Sequence, residues 1–196
     1  MKKLFFLILL VFVGCTSDDP QPDPVLLASA ELVRVELMNN GSYLPTAEVI
    51  GETRLYQVGR AVRLDIDLSE MTPNTSKAVH IHQGSLEEPG RHWNAGYLIA
   101  ACDSISLGRK WQRPNFGDVG NVDIDESGTG SFSLSTDRWE FATGSRFDIL
   151  GLPIIIHEMP EDFANECDIN HKHDTPHNNQ KIGGGILEEV NTELMD

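Results

Sequence analysis

Ala61-Val62-Arg63-Leu64-Asp65-Ile66-Asp67-Leu68 alternates apolar and polar side chains without a break. Successive residues of a strand point to opposite faces, so this period of two predicts a half-buried β-strand. Val62, Leu64, Ile66 and Leu68 face a core, and Arg63, Asp65 and Asp67 face water. Residues 30–38 alternate with some slippage and run into Asn39-Asn40-Gly41-Ser42, a turn. Residues 53–58 predict a further strand. Met71-Thr72-Pro73-Asn74 breaks the pattern, and residues 78–82 resume it. Residues 121–124 and 130–134 flank Asp125-Glu126-Ser127-Gly128, a hairpin signal. Residues 152–157 form a short apolar run of the kind buried centrally, and residues 182–190 a last strand opening on three glycines. There is no long amphipathic helix and no repeat. Many short strands with turns between them predict an all-β fold, an antiparallel sandwich or barrel. Two stretches, about 83–117 and 158–180, carry no strand pattern; loops of that length are usually functional.

The N-terminus predicts export. Met1-Lys2-Lys3 is a basic start and residues 4–13 are an apolar run, too short to span a bilayer but suited to a signal peptide. Val11-Phe12-Val13-Gly14-Cys15 resembles a bacterial lipobox, which implies cleavage after residue 14 and lipidation of Cys15. Thr16-Ser17-Asp18-Asp19 resembles the acidic tag that follows the lipidated cysteine in some surface lipoproteins. The expected organisation is a signal peptide over 1–14, a lipidated cysteine and flexible Pro- and Asp-rich tether over 15–28, and a β-domain over 29–196. That places the protein in the cell envelope, anchored to the outer membrane by lipid. An ordinary cleaved signal peptide is the plainer alternative. Thirty acids against fifteen Lys and Arg argue against a nucleic-acid partner, which needs a basic footprint. Removing Lys2 and Lys3 with the leader takes the net charge from −15 to −17.

All seven histidines lie at or beyond position 80. His80 and His82 are two apart on a predicted strand, so both imidazoles project to one side. His157 ends the apolar run Ile154-Ile155-Ile156, and His92 lies in the first long loop. Several imidazoles without a neighbouring thiol suit Cu(II) in tetragonal geometry or Zn(II) in tetrahedral geometry.

These residues also carry a resemblance. His80-Ile81-His82-Gln83 resembles the H-V-H-E strand of the copper/zinc superoxide dismutase family, and Arg91-His92-Trp93-Asn94 resembles its P-H-F-N segment. Residues 116–122 resemble V-G-D-L-G-N-V, and residues 155–163 resemble V-V-H-E-K-x-D-D-L. The resemblance spans about residues 28–190. It implies a Greek-key β-barrel with two long functional loops, and copper held by His80, His82, His92 and His157. Asp118 matches the family's zinc-ligand aspartate. The zinc histidine three residues earlier is Asn115 here, and no histidine lies between His92 and Asp118. Zinc would keep two ligands where a structural site has four, so a copper-only variant is expected. His171, His173 and His177 either rebuild a zinc site or belong to a solvated loop.

The family's disulfide cysteines are absent, Gly184 standing where one of them would be. Cys102 and Cys167 remain as an even pair once Cys15 is lipidated. They are either free thiols or, as expected in an oxidising compartment, a replacement disulfide joining the two loops. Lys181 matches the family's anion-guiding arginine, keeping the charge but losing the planar fork. Glu161 and Asp162 fall near the family's outer acids, or are simply exposed. The resemblance implies superoxide as substrate, with catalytic roles for His92 and Lys181. Two other readings share the motifs. One is a copper-buffering lipoprotein without catalysis. The other is a structural β-domain, since A-x-H-I-H-x-G segments also occur in CHRD domains. Oligomeric state is left open.

Overall fold

The structure is a computed structural model that describes residues 23–97, 115–161 and 179–190. Its strands, in chain order, are β1 (Val25–Leu37), β2 (Tyr43–Val58), β3 (Ala61–Leu68), β4 (Ser76–Ile81), β5 (Asp118–Asp123), β6 (Gly130–Thr136), β7 (Pro153–His157), β8 (Lys181–Ile186) and β9 (Glu188–Glu189). They form one antiparallel sheet in the order β5-β4-β7-β8-β1-β2-β3-β6, with β9 pairing to β1. The two ends of this path, β5 and β6, pack against each other, so the sheet curls into a nearly closed barrel. Neighbours far apart in sequence, such as β4 with β7 and β3 with β6, give it Greek-key connectivity.

β3 occupies the residues its alternation predicts. Val62, Leu64, Ile66 and Leu68 are buried and the residues between them are partly exposed. The interior is completed by Leu32 and Ile50 from β1 and β2, Val79 and Ile81 from β4, and Ile154 and Ile156 from β7. Other strands differ from the expected bounds. β1 begins at Val25, ahead of the domain start expected at 29. β2 begins at Tyr43, ten residues before the predicted strand, because Pro45 and Gly51 obscure its pattern. The expected strand over 182–190 divides into β8 and β9.

Close approach fixes the glycines of β8. A Cβ on Gly184 would lie 2.5 Å from the carbonyl oxygen of Ile154 and 2.9 Å from Leu86 Cδ1, so only hydrogen fits between β8 and β7.

The expectation of a Cys102–Cys167 disulfide is corrected. No cysteine pairing exists among the described residues, and Cys15, Cys102 and Cys167 all lie outside them. Spacing in sequence carried no information on whether two Cα atoms approach within bridging distance. The base of the second loop is instead held by an amide. The Asn121 side chain of β5 donates to the Glu161 carbonyl (2.9 Å) and accepts from the Glu161 N–H (3.0 Å). Among the described residues no helix is long and apolar enough to cross a membrane.

Leu64 is fully buried at the centre of β3. Leu64→Ala should lower unfolding free energy by about 3 kcal/mol, the usual cost of a buried cavity of that size. Urea unfolding of the two proteins, with an unchanged slope, measures it.

Candidate metal centre

Two strands carry the histidines on their outer faces. On β4, Val79 and Ile81 point into the barrel, so His80 and the following His82 point out of it. On β7, Ile154 and Ile156 point inward, so His157 points outward beside them. Register aligns the two faces, with His80 opposite Ile155 and the His82 N–H donating to the Pro153 carbonyl at 2.9 Å.

His92 comes from the first loop, which returns to the sheet at that point. The Ile81 N–H donates to the Gly117 carbonyl (2.7 Å), the Trp93 N–H to the Ile81 carbonyl (2.8 Å) and the Gly117 N–H to the Trp93 carbonyl (2.8 Å). These bonds wedge residue 93 between β4 and the start of β5, and His82 and His92 form an isolated antiparallel bridge.

The four rings converge. His80 stacks on His92 at 3.8 Å between centroids, His82 meets His92 at 4.8 Å, and His80 meets His157 at 4.9 Å. The widest separation is 6.2 Å, between His80 and His82. His80, His92 and His157 each place a ring nitrogen within 4.8 Å of the others, a cluster able to hold a metal ion. His82 joins them through its Nε2, 3.3 Å from Nε2 of His157.

Hydrogen bonding fixes the tautomers. Nδ1 of His82 lies 3.2 Å from the Gly90 carbonyl and Nδ1 of His157 lies 3.0 Å from the Asn179 carbonyl. A carbonyl only accepts, so both Nδ1 atoms carry the proton. Each neutral ring therefore turns a lone pair on Nε2 toward the other. Burial, reinforced by the neighbouring imidazoles and Lys181, holds both rings well below the usual histidine range. Two buried acceptors thus face each other with no proton between them, an arrangement that a cation relieves.

Asp118 organises the other two rings. One of its oxygens, Oδ1, accepts from Nδ1 of His80 (2.9 Å) and from Nδ1 of His92 (3.0 Å). Its Oδ2 accepts from the Asn115 N–H (2.6 Å) and side-chain Nδ2 (3.1 Å). Burial opposes ionisation of Asp118, but the bonds from His80 and His92 outweigh it and hold the carboxyl well below its usual range. Burial likewise depresses His92 despite the help of Asp118.

His80 is the exception among the rings. Its Nε2 lies 3.1 Å from Oε2 of Glu161, so carboxylates flank it on two sides. Burial works against its charge, yet Asp118 and Glu161 prevail and raise it to about 9. The reading of Glu161 as an exposed acid is overturned: its side chain is 5% exposed. Neither of its carboxylate oxygens has a hydrogen-bond partner among the described residues, so the ion pair to His80 is what faces it. Burial raises the Glu161 carboxyl and His80 more than compensates, leaving it lowered. Sequence offers one signal for this role, the position of Glu161 four residues beyond His157 in the motif that resembles the dismutase family.

Lys181 stands opposite His157 in the β7–β8 register, with its Nζ 5.4 Å from the ring centroid of Tyr43. Burial lowers its pKa, and it forms no ion pair with a described carboxylate. Cys15, Cys102, Cys167, Asp162, His171, His173 and His177 lie outside the described residues.

A sequence description of the copper/zinc superoxide dismutase family matches residues 49–186, the span that carries all four converging histidines. The chain belongs to the copper/zinc superoxide dismutase family. No curated protein matches it, so its place in the family is a distant one. Solved structures share the fold. A superoxide dismutase-like protein from Bacillus subtilis is 16% identical, with a TM-score of 0.60 over 83% of this chain and 99% of that one. The clock protein EA4 is 18% identical, with a TM-score of 0.57 over 84% of this chain and 94% of that one. The Cu/Zn superoxide dismutase from Brucella abortus is 9% identical, with a TM-score of 0.55 over 82% and 98%. At such identities the likeness establishes architecture and says nothing of activity. As a donor set, the buried imidazoles fit copper: nitrogen ligands, three of them held neutral and two of those with lone pairs already opposed, while His80 would give up its proton to the metal.

The raised His80 sets a pH dependence for the metal-free protein. A folded pKa of about 9, above the ordinary histidine value of 6.5, contributes stability that is complete below pH 6.5 and lost as pH rises to 9. His82, His92 and His157, with lowered values, oppose this below about pH 7.5, where the unfolded chain still protonates them and the folded chain does not; above that they are neutral in both states and leave the slope to His80. The melting temperature of metal-free protein should therefore fall between about pH 7.5 and 9. Asp118→Asn should flatten this fall, and at pH 6.5 it should cost about 3 kcal/mol by breaking a buried pair. Calorimetry across the pH series, with and without the substitution, reads both effects.

Proposed function

We propose that this chain binds copper through His80, His82, His92 and His157 and uses it to dismute superoxide in the cell envelope. The observation that carries the reading is the opposed pair of buried Nε2 lone pairs, 3.3 Å apart, inside a ring of four imidazoles. Bound copper would supply one-electron exchange, so that two superoxide ions and two protons become dioxygen and hydrogen peroxide. The protein's share is to present neutral nitrogen donors, exclude competing ligands and admit an anion.

Several features support a centre with copper alone. Asn115 stands where the family has a zinc-binding histidine, and its backbone and side chain both donate to Asp118. Asp118 in turn accepts directly from His92. With that carboxylate as its partner, His92 keeps a proton on Nδ1 and offers Nε2, so it acts as a neutral imidazole and not as a bridging anion. Its partial exposure, 11% for the side chain, makes it the ring through which protons can pass to solvent.

Lys181 supports admission of the anion. The chain is strongly acidic overall, but exposed charges beyond about 8 Å are largely screened at physiological salt. A half-buried ammonium beside His157 and His82, without a described carboxylate partner, dominates the potential at short range.

Turnover and metal content of one purified sample test the reading. Copper should bind at about one per chain without accompanying zinc, and copper-loaded protein should dismute superoxide. His157→Ala should lower the rate at least about 100-fold, exceeding the loss expected from removing an outer partner of a ligand. Stoichiometric copper without turnover would instead assign the chain to copper buffering.

The envelope location rests on Cys15 and the residues around it. Cys15→Ser should move the protein from the detergent-extracted membrane fraction to the soluble envelope fraction. It should also abolish incorporation of labelled fatty acid. Unchanged labelling would remove the lipid anchor from the proposal.

A further inference from the structure

We propose that Asn179 is a positioning residue for His157, braced from the opposite side by Lys77. This rests on reading His157 as a metal-side imidazole. The backbone ladder between β7 and β8 becomes irregular where it reaches His157, with a register shift between Ile156 and His157. Regular pairing therefore fails at the residue whose ring must be aimed most closely. Asn179 supplies what the ladder lacks. Its Nδ2 donates to the Met159 carbonyl at 2.7 Å, and its Oδ1 accepts from the Met159 N–H at 2.9 Å. One amide side chain thus reproduces both hydrogen bonds of a strand pair, and this pairing also fixes which way the amide is flipped.

The same residue receives the ring. Nδ1–H of His157 donates to the Asn179 backbone carbonyl at 3.0 Å, so Asn179 grips the chain two residues beyond His157 while holding the imidazole itself. Asn179 is 8% exposed, leaving little room for another arrangement. The residue between these grips, Glu158, is held by Lys77. Nζ of Lys77 donates to the Glu158 carbonyl (2.8 Å) and to its carboxylate (2.6 Å), and the Glu158 N–H donates to the Gln180 carbonyl (2.8 Å). Lys77 is 1% exposed on β4, on the inward face that carries Val79 and Ile81. Its stem lies in the end of the barrel and its charged end meets Glu158, about half exposed at the rim. His157 is therefore oriented from outside the barrel by Asn179 and backed from inside it by Lys77.

A plug for the barrel end and a satisfied buried amide would stabilise the fold without aiming a ring, so the test reads the ring. In metal-free protein with labelled histidine, the Nδ1–H of His157 should exchange with solvent at least about tenfold faster in Asn179→Ala. The Nδ1–H of His82, held by Gly90, should be unchanged. Lys77→Met should act in the same direction, and Asn179→Asp, which keeps the acceptor and loses the donor, should fall between. Copper-loaded Asn179→Ala should show a shifted Cu(II) paramagnetic resonance spectrum and about 10- to 100-fold weaker copper binding. Leu64→Ala, destabilised within the core, should leave His157 exchange and the spectrum unaltered. Unchanged His157 exchange and spectrum in Asn179→Ala would overturn the proposal, as would equal changes in Leu64→Ala. If Asn179→Ala does not fold, Asn179→Asp and Lys77→Met carry the same readouts. Failure of the unmodified chain to bind copper would defeat the copper reading alone, because ring exchange still decides whether Asn179 positions His157.

Discussion

A carboxylate removed from water is tolerable only where donors surround it, and Asp118 satisfies that condition by gathering three segments of the chain. His80 comes from β4, His92 from the returning first loop and Asn115 from the residues just ahead of β5, and each donates to the same acid. Remove the charge and these segments lose their common partner. The stacking of His80 on His92 follows from this arrangement, since both Nδ1 atoms are drawn to one oxygen. The electrostatic division of the site follows as well. His80, between Asp118 and Glu161, favours its charged form, while His82 and His157, facing backbone carbonyls, stay neutral. One side of the cluster carries the two carboxylates; the other carries the opposed lone pairs of His82 and His157, with Lys181 beside them.

Much of this is legible in the amino-acid sequence. The alternation over residues 61–68 reproduces β3 because both of its faces have a uniform environment. The even spacing of His80 and His82 placed them together, and the apolar run before His157 placed that ring at the end of a central strand. Bounds were read less well where local chemistry conflicts with pairing. Pro45 and Gly51 hide the first half of β2, and the glycines of β8 show no period because their reason is close packing, Gly184 against β7 and Gly183 and Gly185 against β1 and β2.

What the sequence does not reveal has a common physical origin. Burial of Glu161 and Lys77 depends on partners far away in sequence, His80 in one case and Glu158 in the other, so composition near either residue reads as surface. Asn179 looks like one more polar loop residue until its amide is seen against Met159. The expected disulfide failed for a related reason. Two cysteines left over by elimination say nothing about distance, and the described residues hold the second loop's base through Asn121 instead.

The division of β4 and β7 into an inner apolar face and an outer imidazole face has one further consequence. Because side chains alternate with a period of two, a slip of one residue in either strand would exchange the two faces completely. His80 and His82 would enter the barrel, and Val79 and Ile81 would replace them beneath the loops. No partly correct pairing presents all four rings at once. A chain that captures a metal ion with the full cluster has therefore already proofread its own register, and ligand capture serves as quality control on folding as well as preparation for chemistry.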